Sequence, residues 1–239
     1  MTAPSSLSTP DETLRLVLFD CDGTLVDSQH MIVAAMRDAH AAEGLLPPPR
    51  EDILSIVGLS LPEAFTVLSR GRADYPVSVM VEAYRNAFMR LRDAEPPEPM
   101  FPLARDTLAA LRAEPDVLMG MVTGKARRGV ARVLAAHSME GWFTTIQTAD
   151  DAPSKPHPGM VLQAMAETGL PAHRTVVVGD TTYDMEMAKA AGAFALAVSW
   201  GYHPQEDLLA AGADLLVHGF AEVPAAIDHL VRPALKAAG

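Results

Sequence analysis

The chain has 239 residues, of which 49% are apolar and 21% charged, a composition that fits a folded globular protein and excludes a disordered one. Nineteen basic residues against 30 acidic ones give a net charge of −11, so neither nucleic acid nor a membrane surface is an expected partner. A single cysteine, Cys21, excludes an internal disulfide and a cysteine-based zinc cluster.

Residues 1–12 lack the charged start and apolar middle of a signal peptide and read as a flexible tail, and no apolar run approaches a membrane span. A cytoplasmic protein is expected. Leu14 to Phe19 reads as a buried strand. The next stretch, 28–92, contains no convincing strand. Met31, Ile32, Ala35, Met36 and Ala39 share one helical face, closed by Gly44. Ile53, Leu54 and Val57 suggest a short second helix ending at Gly58. Pro62 opens a third, which stops near Gly71, and Val77 to Leu91 forms a fourth. The proline-rich run from Glu95 to Pro102 is a stiff linker.

Beyond it, apolar runs alternate with helical patterns. Val117 to Val122, Trp142 to Gln147, Thr175 to Val178, Ala193 to Val198 and Asp214 to Val217 read as strands. Lys125 to His137, Pro158 to Thr168, Tyr183 to Ala191, Pro204 to Ala211 and Ala221 to Val231 read as helices. Such alternation, with nearly continuous apolar strands, marks a parallel sheet covered on both faces. The expected fold is α/β: a Rossmann-like, doubly wound parallel sheet core made of 13–27 and 100–239. A helical cap, 28–99, is inserted after the first strand, and the two connections at one edge form a lid hinge.

Ligands of such sheets bind beyond the carboxyl ends of the strands. The first strand ends in Asp20-Cys21-Asp22-Gly23-Thr24, the next in Thr123-Gly124-Lys125, and another in Gly179-Asp180-Thr181-Thr182-Tyr183-Asp184; a loop carries Ser154-Lys155-Pro156-His157. Asp20 and Asp180 can share one hard cation, and oxygen ligands without nitrogen or sulfur favour magnesium over zinc. Lys155 offers a positive charge, Thr123 a hydroxyl, and Gly23 and Gly124 bare N–H groups, a set that can cradle a phosphate. Asp20 can then attack phosphorus, while Asp22 protonates the leaving oxygen and later activates water.

These segments resemble the four motifs of the haloacid dehalogenase-like superfamily of phosphohydrolases, in the right order. DCDGTLVDS (20–28) and GDTTYDMEMAKAAG (179–192) are long, specific matches, and the helical insert falls where that superfamily carries its cap. The resemblance implies a magnesium-dependent phosphatase acting on a small-molecule phosphate monoester, as a monomer or homodimer. Asp20 is then the nucleophile and Asp22 the general acid/base, whose backbone carbonyl also meets Mg2+. Thr123 and Lys155 bind the phosphoryl group, and Asp180 and Asp184 are metal ligands, Asp184 directly or through water.

The resemblance also sorts among relatives. Dehalogenases lack the second Asp of the first motif, which here is Asp22. Phosphonate hydrolases replace it and use a cap lysine; residues 28–92 contain none. Beta-phosphoglucomutases use a lysine and a histidine near the start of the cap; His30 can stand for the histidine but no lysine follows it, so phosphoryl transfer of that kind is the runner-up reading. The DGTLVDS loop and Ile56-Val-Gly-Leu-Ser-Leu61 look most like phosphoglycolate phosphatases and their pyrophosphatase neighbours. Where relatives carry Pro-Gly on re-entering the core, this chain has Pro102-Leu103. Arg50, Arg70, Arg72 and Tyr84 are the candidates for reading a substrate carboxylate. A non-catalytic protein of the same fold is disfavoured because Asp20, Asp22, Thr123, Lys155 and Asp180 are all present.

Plainer readings attach to several neighbours. Asp27 shapes the loop or caps the first helix of the insert. Cys21 points away from its flanking aspartates, His157 is a loop residue, and the scattered methionines fill cores. Lys125, Arg127 and Arg128 form either a solvated helix face or a patch that draws in anions.

Overall fold

The computed structural model describes residues 13–238, with side chains through Val231; the tail assigned to 1–12 lies outside the described residues. Six parallel strands form one sheet: β1 (Arg15–Phe19), β2 (Val117–Val122), β3 (Thr145–Gln147), β4 (Thr175–Gly179), β5 (Phe194–Val198) and β6 (Leu215–Val217). Their order is β3-β2-β1-β4-β5-β6: the chain winds one way from β1 through β2 to β3 and the other way from β4 to β6, so the reversal lies between β1 and β4. That reversal is where an open α/β sheet leaves a crevice for ligands.

Every residue of β1 is buried. Val17 and Phe19 pack on one face with Val176 and Val178 of β4, and Leu16 and Leu18 pack on the other with Val177. A strand that buries both faces needs no polar alternation, which accounts for the continuous apolar runs in the sequence. Around the sheet lie α5 (Ala104–Ala113), α6 (Arg127–Ala136), α7 (Gly159–Thr168), α8 (Thr182–Ala190), α9 (Gln205–Ala210) and α10 (Val223–Ala238), joined by short 3-10 turns at Ala172–Arg174 and Phe220–Glu222.

Four helices separate β1 from this run: α1 (Gln29–Ala42), α2 (Arg50–Leu54), α3 (Leu61–Ser69) and α4 (Val77–Ala94). They hold an apolar cluster of their own, in which Met36, Ile53, Phe65 and Met80 are almost wholly buried. Gly44 and Gly58 take positive φ where the sequence places helix ends. The chain leaves the sheet-bearing part and re-enters it through paired segments. Asp27 N–H donates to Pro99 O (2.8 Å) and Phe101 N–H donates to Leu25 O (3.0 Å), around an antiparallel bridge between Val26 and Met100.

Two differences from the sequence reading have physical causes. Helix α5 is additional: Leu108 and Leu111 bury its inner face, but its N-cap is Leu103 and supplies no side-chain cap. Leu103 itself sits at φ 64°, the left-handed region that favours glycine, at the position noted above as a departure from the Pro-Gly of relatives. Strand β3 starts at Thr145, not Trp142; the Trp142 ring lies under Arg105 and Arg112, 5.3 and 5.4 Å from the ring centre. Among the described residues, no helix is long and apolar enough to cross a membrane.

Candidate active site

Asp20 follows the last residue of β1, Thr123 follows β2, Asp180 follows β4, and Lys155 stands in the loop between β3 and α7. The topology therefore brings all four to one rim, at the crevice. Asp20, Thr123, Lys155, Asp180 and Asp184 are each almost fully buried. Lys155 Nζ lies 2.9 Å from Asp20 Oδ1 and 2.6 Å from Asp184 Oδ1.

Each carboxylate is held differently. Asp180 Oδ1 accepts from Thr24 Oγ1 (2.7 Å), and its Oδ2 accepts from the Tyr202 backbone N–H (2.9 Å). Asp184 Oδ2 accepts from Thr181 Oγ1 (2.6 Å) and from Thr181 N–H (3.1 Å), so it closes a capping box at the start of α8. Neither oxygen of Asp20 receives a well-directed hydrogen bond, although both are buried. The three carboxylates bring one oxygen each within 4.8 Å of the others. Three carboxylates against one ammonium leave two negative charges uncompensated.

The electrostatics follow from that surplus. Burial pushes Asp20 up to about 6 against the pull of Lys155, with Asp184 adding to the rise. Burial pushes Asp180 well up, and Asp20 and Asp184 raise it further. Burial pulls Lys155 down, but Asp184 and Asp20 together outweigh it and hold the ammonium above its ordinary value. Three glycines keep the space clear. A Cβ on Gly23 would stand 2.2 Å from Asp180 Oδ2, one on Gly201 2.1 Å from Asp180 Cβ, and one on Gly179 2.4 Å from the Asp184 carboxyl carbon. Clustered, partly unsatisfied carboxylate oxygens, with no nitrogen or sulfur among them, fit a hard divalent cation such as Mg2+.

Asp22 faces a cavity of about 420 Å³ that Asp20 and Thr123 also line, with the insert's α1 and α4 contributing wall residues. Its carboxylate is grasped by Lys125 Nζ at 2.7 and 3.0 Å. The basic cluster after β2 therefore divides: Lys125 turns inward, Arg127 binds Asp151 (2.7 Å) and Ile146 O, and Arg128 lines the cavity. Thr123 Oγ1 accepts from Lys125 N–H (3.2 Å), which leaves its hydroxyl proton free to donate. At Gly124 a Cβ would meet the Gly58 carbonyl oxygen at 2.3 Å, so the insert rests directly on this turn.

Several expectations need correction or refinement. The Gly23 N–H does not point to a ligand: it donates to Val26 O (2.9 Å), and the residue serves through its φ of 87° and the room it leaves Asp180. Arg50 bonds to Gln29, Arg70 pairs with Asp52, and Arg72 lies over the Tyr75 ring, so none of the three lines the cavity; Tyr84 does, alongside Arg85 and Arg92. Cys21 packs in the apolar cluster with Val17 and Phe19, and burial pushes its thiol well up. His157 Nδ1 accepts from Gly159 N–H (3.0 Å), and Asp27 binds the Gln29 side chain at 2.9 and 3.1 Å, both local loop contacts. Thr24 and the loop after β5, Trp200 to His203, were missed. That loop also follows a strand's carboxyl end, which was the available signal.

A family model described as haloacid dehalogenase-like hydrolase matches residues 17–198, a span that takes in every one of these carboxylates and Lys155. The chain belongs to the haloacid dehalogenase-like hydrolase family. It is 36% identical over 219 residues to a protein of Dickeya dadantii named "Probable phosphatase IndB", covering 91% of this chain and 95% of that one. It is 33% identical over 198 residues to the phosphoglycolate phosphatase of Pseudomonas fluorescens, covering 81% and 72%. A solved structure of a hydrolase from Pseudomonas syringae superposes with a TM-score of 0.79 at 26% identity, covering 91% and 99%. Within the haloacid dehalogenase-like family this chain is thus an enzyme, a hydrolase whose relatives are named as phosphatases.

Proposed function

We propose that the chain is a magnesium-dependent phosphatase that hydrolyses a small organic phosphate monoester through a phosphoaspartate on Asp20. The observation that carries this reading is Asp20 itself: a fully buried carboxylate, with one oxygen 2.9 Å from the Lys155 ammonium and neither oxygen held by a well-directed hydrogen bond, at the head of a cavity. A carboxylate oriented by one ammonium, with acceptor capacity left over, suits a group that must both hold a cation and attack phosphorus.

Asp20, the backbone carbonyl of Asp22, Asp180 and Asp184 would hold Mg2+, which neutralises the surplus charge of the carboxylates and of the phosphoryl oxygens. The protein's own groups do the rest. Lys155 and the Thr123 hydroxyl, with the Gly124 N–H beside them, orient the phosphoryl group. An Asp20 oxygen forms a bond to phosphorus as the ester P–O bond breaks, and Asp22 gives its proton to the leaving oxygen. Water then attacks phosphorus, gives a proton back to Asp22, and the Asp20–phosphorus bond breaks to release phosphate. Lys125 positions the Asp22 carboxyl for these transfers, and the insert over Gly124 would act as the lid that excludes bulk water.

The test is phosphate release from a panel of monoesters, with Mg2+ and again with excess chelator. Phosphoglycolate, the substrate in the name of the Pseudomonas fluorescens relative, belongs in the panel. Mg2+-dependent release is expected, together with a loss of at least about a thousandfold in Asp20→Asn while substrate still binds. Activity of Asp20→Asn within tenfold of the parent protein would overturn the nucleophile assignment.

A further inference from the structure

The cavity over Asp20 and Asp22 is lined in two chemically distinct parts. Ile32, Met36, Ile56, Leu61, Phe88 and Met89 give it an apolar wall, built mainly from the insert. Arg85 and Arg92 of α4, and Arg128 and Arg132 of α6, add guanidinium groups. Residues 85, 88, 89 and 92 fall at helical spacing on one face of α4, and 128 and 132 are four apart on α6, so each helix presents a coherent strip.

These arginines are not equivalent. Arg85 is paired with Glu82, and Arg92 bonds to the neighbouring Asp93 (3.0 Å). Among the described residues, Arg128 and Arg132 form no ion pair. Both stand on the exposed side of α6, at the mouth of the cavity that Arg92 of α4 also lines. Guanidiniums from the insert and from the core thus line one cavity, and an anion seated there can meet both. A two-carbon ester such as phosphoglycolate fills little of 420 Å³, a volume in the range of pockets for larger organic ligands.

The geometry points to a substrate class: a phosphate monoester whose organic body is apolar or aromatic and which carries a second anionic group, read by Arg128 and Arg132 with Arg92. This rests on the phosphatase reading of the same site and names what that site selects. The apolar body covers the Phe88 and Met89 wall, and the guanidinium forks take the distal oxygens in pairs, which a lysine would not do as well. The second anion is a carboxylate or a phosphate, since both match the fork.

The experiment compares kcat/KM for 4-carboxyphenyl phosphate, 1,4-phenylene bisphosphate, phenyl phosphate and phosphoglycolate, all with Mg2+. One of the two doubly anionic aryl esters is expected to exceed both phenyl phosphate and phosphoglycolate by about tenfold or more; which one does so identifies the second anion. Arg128→Gln and Arg132→Gln should each cut that ester's kcat/KM by about tenfold and phenyl phosphate's by less than threefold. Equal efficiency across the aryl esters, a preference for phosphoglycolate, or equal losses on all esters would overturn the inference. Binding of the same compounds to Asp20→Asn by calorimetry separates the two levels. Arginine-dependent binding without turnover by the parent protein would overturn the phosphatase reading and keep the substrate class, whereas absence of both would overturn the two together.

Discussion

Lys125 Nζ sits 2.7 Å from one oxygen of Asp22 and 3.0 Å from the other, a clasp between two residues that each stand three places after a strand, β2 and β1. The same ammonium stands 3.9 Å from Glu98 in the proline-rich linker and 5.7 Å from the Phe88 ring centre on α4. One side chain thus touches the acid/base candidate, the hinge segment and the insert. Lys125→Met is expected to lower kcat by roughly 10–100-fold with a smaller change in KM, because it misplaces the proton-transfer group. Lys125→Arg should restore part of the loss. An unchanged kcat in Lys125→Met would show that the clasp has no part in turnover.

Lys155 offers a test that reads stability instead of rate. In Lys155→Met, Asp20 and Asp184 face each other in the interior without their cation, and breaking a buried pair in this way costs about 3–5 kcal/mol. The urea midpoint of the variant in chelator should fall accordingly. Millimolar Mg2+ should recover a larger share of stability in the variant than in the parent, since the ion then supplies the missing positive charge. Equal responses to Mg2+ would argue against a cation at these carboxylates.

Leu103 is a site where glycine should do better. A left-handed φ of 64° costs a β-carbon-bearing residue about 1–2 kcal/mol, and the side chain is 56% exposed, so little packing is lost on removing it. Glycine's extra freedom in the unfolded chain offsets about 0.4–1 kcal/mol of that gain. Leu103→Gly is expected to raise stability by roughly 0.5–1 kcal/mol, seen as a higher urea midpoint at unchanged m-value. A lower midpoint would show that Leu103 contributes packing that its exposure conceals.

His40 gives a pH dependence with a defined sign. Its Nδ1–H donates to Met36 O (2.8 Å), so Nε2 is the acceptor facing the Tyr75 hydroxyl (3.0 Å) inside the insert. Burial lowers its pKa from the usual 6.5, with Arg72 adding to the drop and the Met36 bond opposing it. The unfolded chain therefore takes up the proton first as pH falls. The stability owed to neutral His40 is present above about 6.5 and is lost progressively below it. The melting temperature should decline from pH 7 to pH 5, and His40→Gln should flatten that decline. A slope unchanged by the substitution would assign the effect elsewhere.

What the sequence disclosed and what it withheld divide along one physical line. Asp20, Thr123 and Asp180 were legible because each directly follows a strand, and strand ends are marked by local apolar runs. Gly58 and Gly44 were legible because helix ends have local chemistry. Helix α5 was not: it follows the proline-rich linker directly, and its buried face carries only two large apolar residues, Leu108 and Leu111, beside Ala104 and Thr107. Nor were the contacts that depend on which elements cross: Lys125 reaching Asp22 and the Tyr202 N–H reaching Asp180. The arginines show the same limit. Arg50, Arg70, Arg72, Arg85 and Arg92 all lie on the insert or its edge, and only the rotation of each helix decides which enter the cavity.

The bonds between Asp27 and Pro99 and between Leu25 and Phe101 bear on how the molecule could be taken apart. Because the outgoing and returning segments already pair with each other, the two ends of the excursion lie side by side like the legs of a hairpin. A tight turn joining 27 to 99 would close the chain with no backbone left to span. The six-stranded part would keep its order and its carboxylates, while the cavity would lose Tyr84, Phe88 and Met89. Topologically, the four helices are a detachable module, and exchanging them for another set would alter what enters the site without redrawing the sheet beneath it.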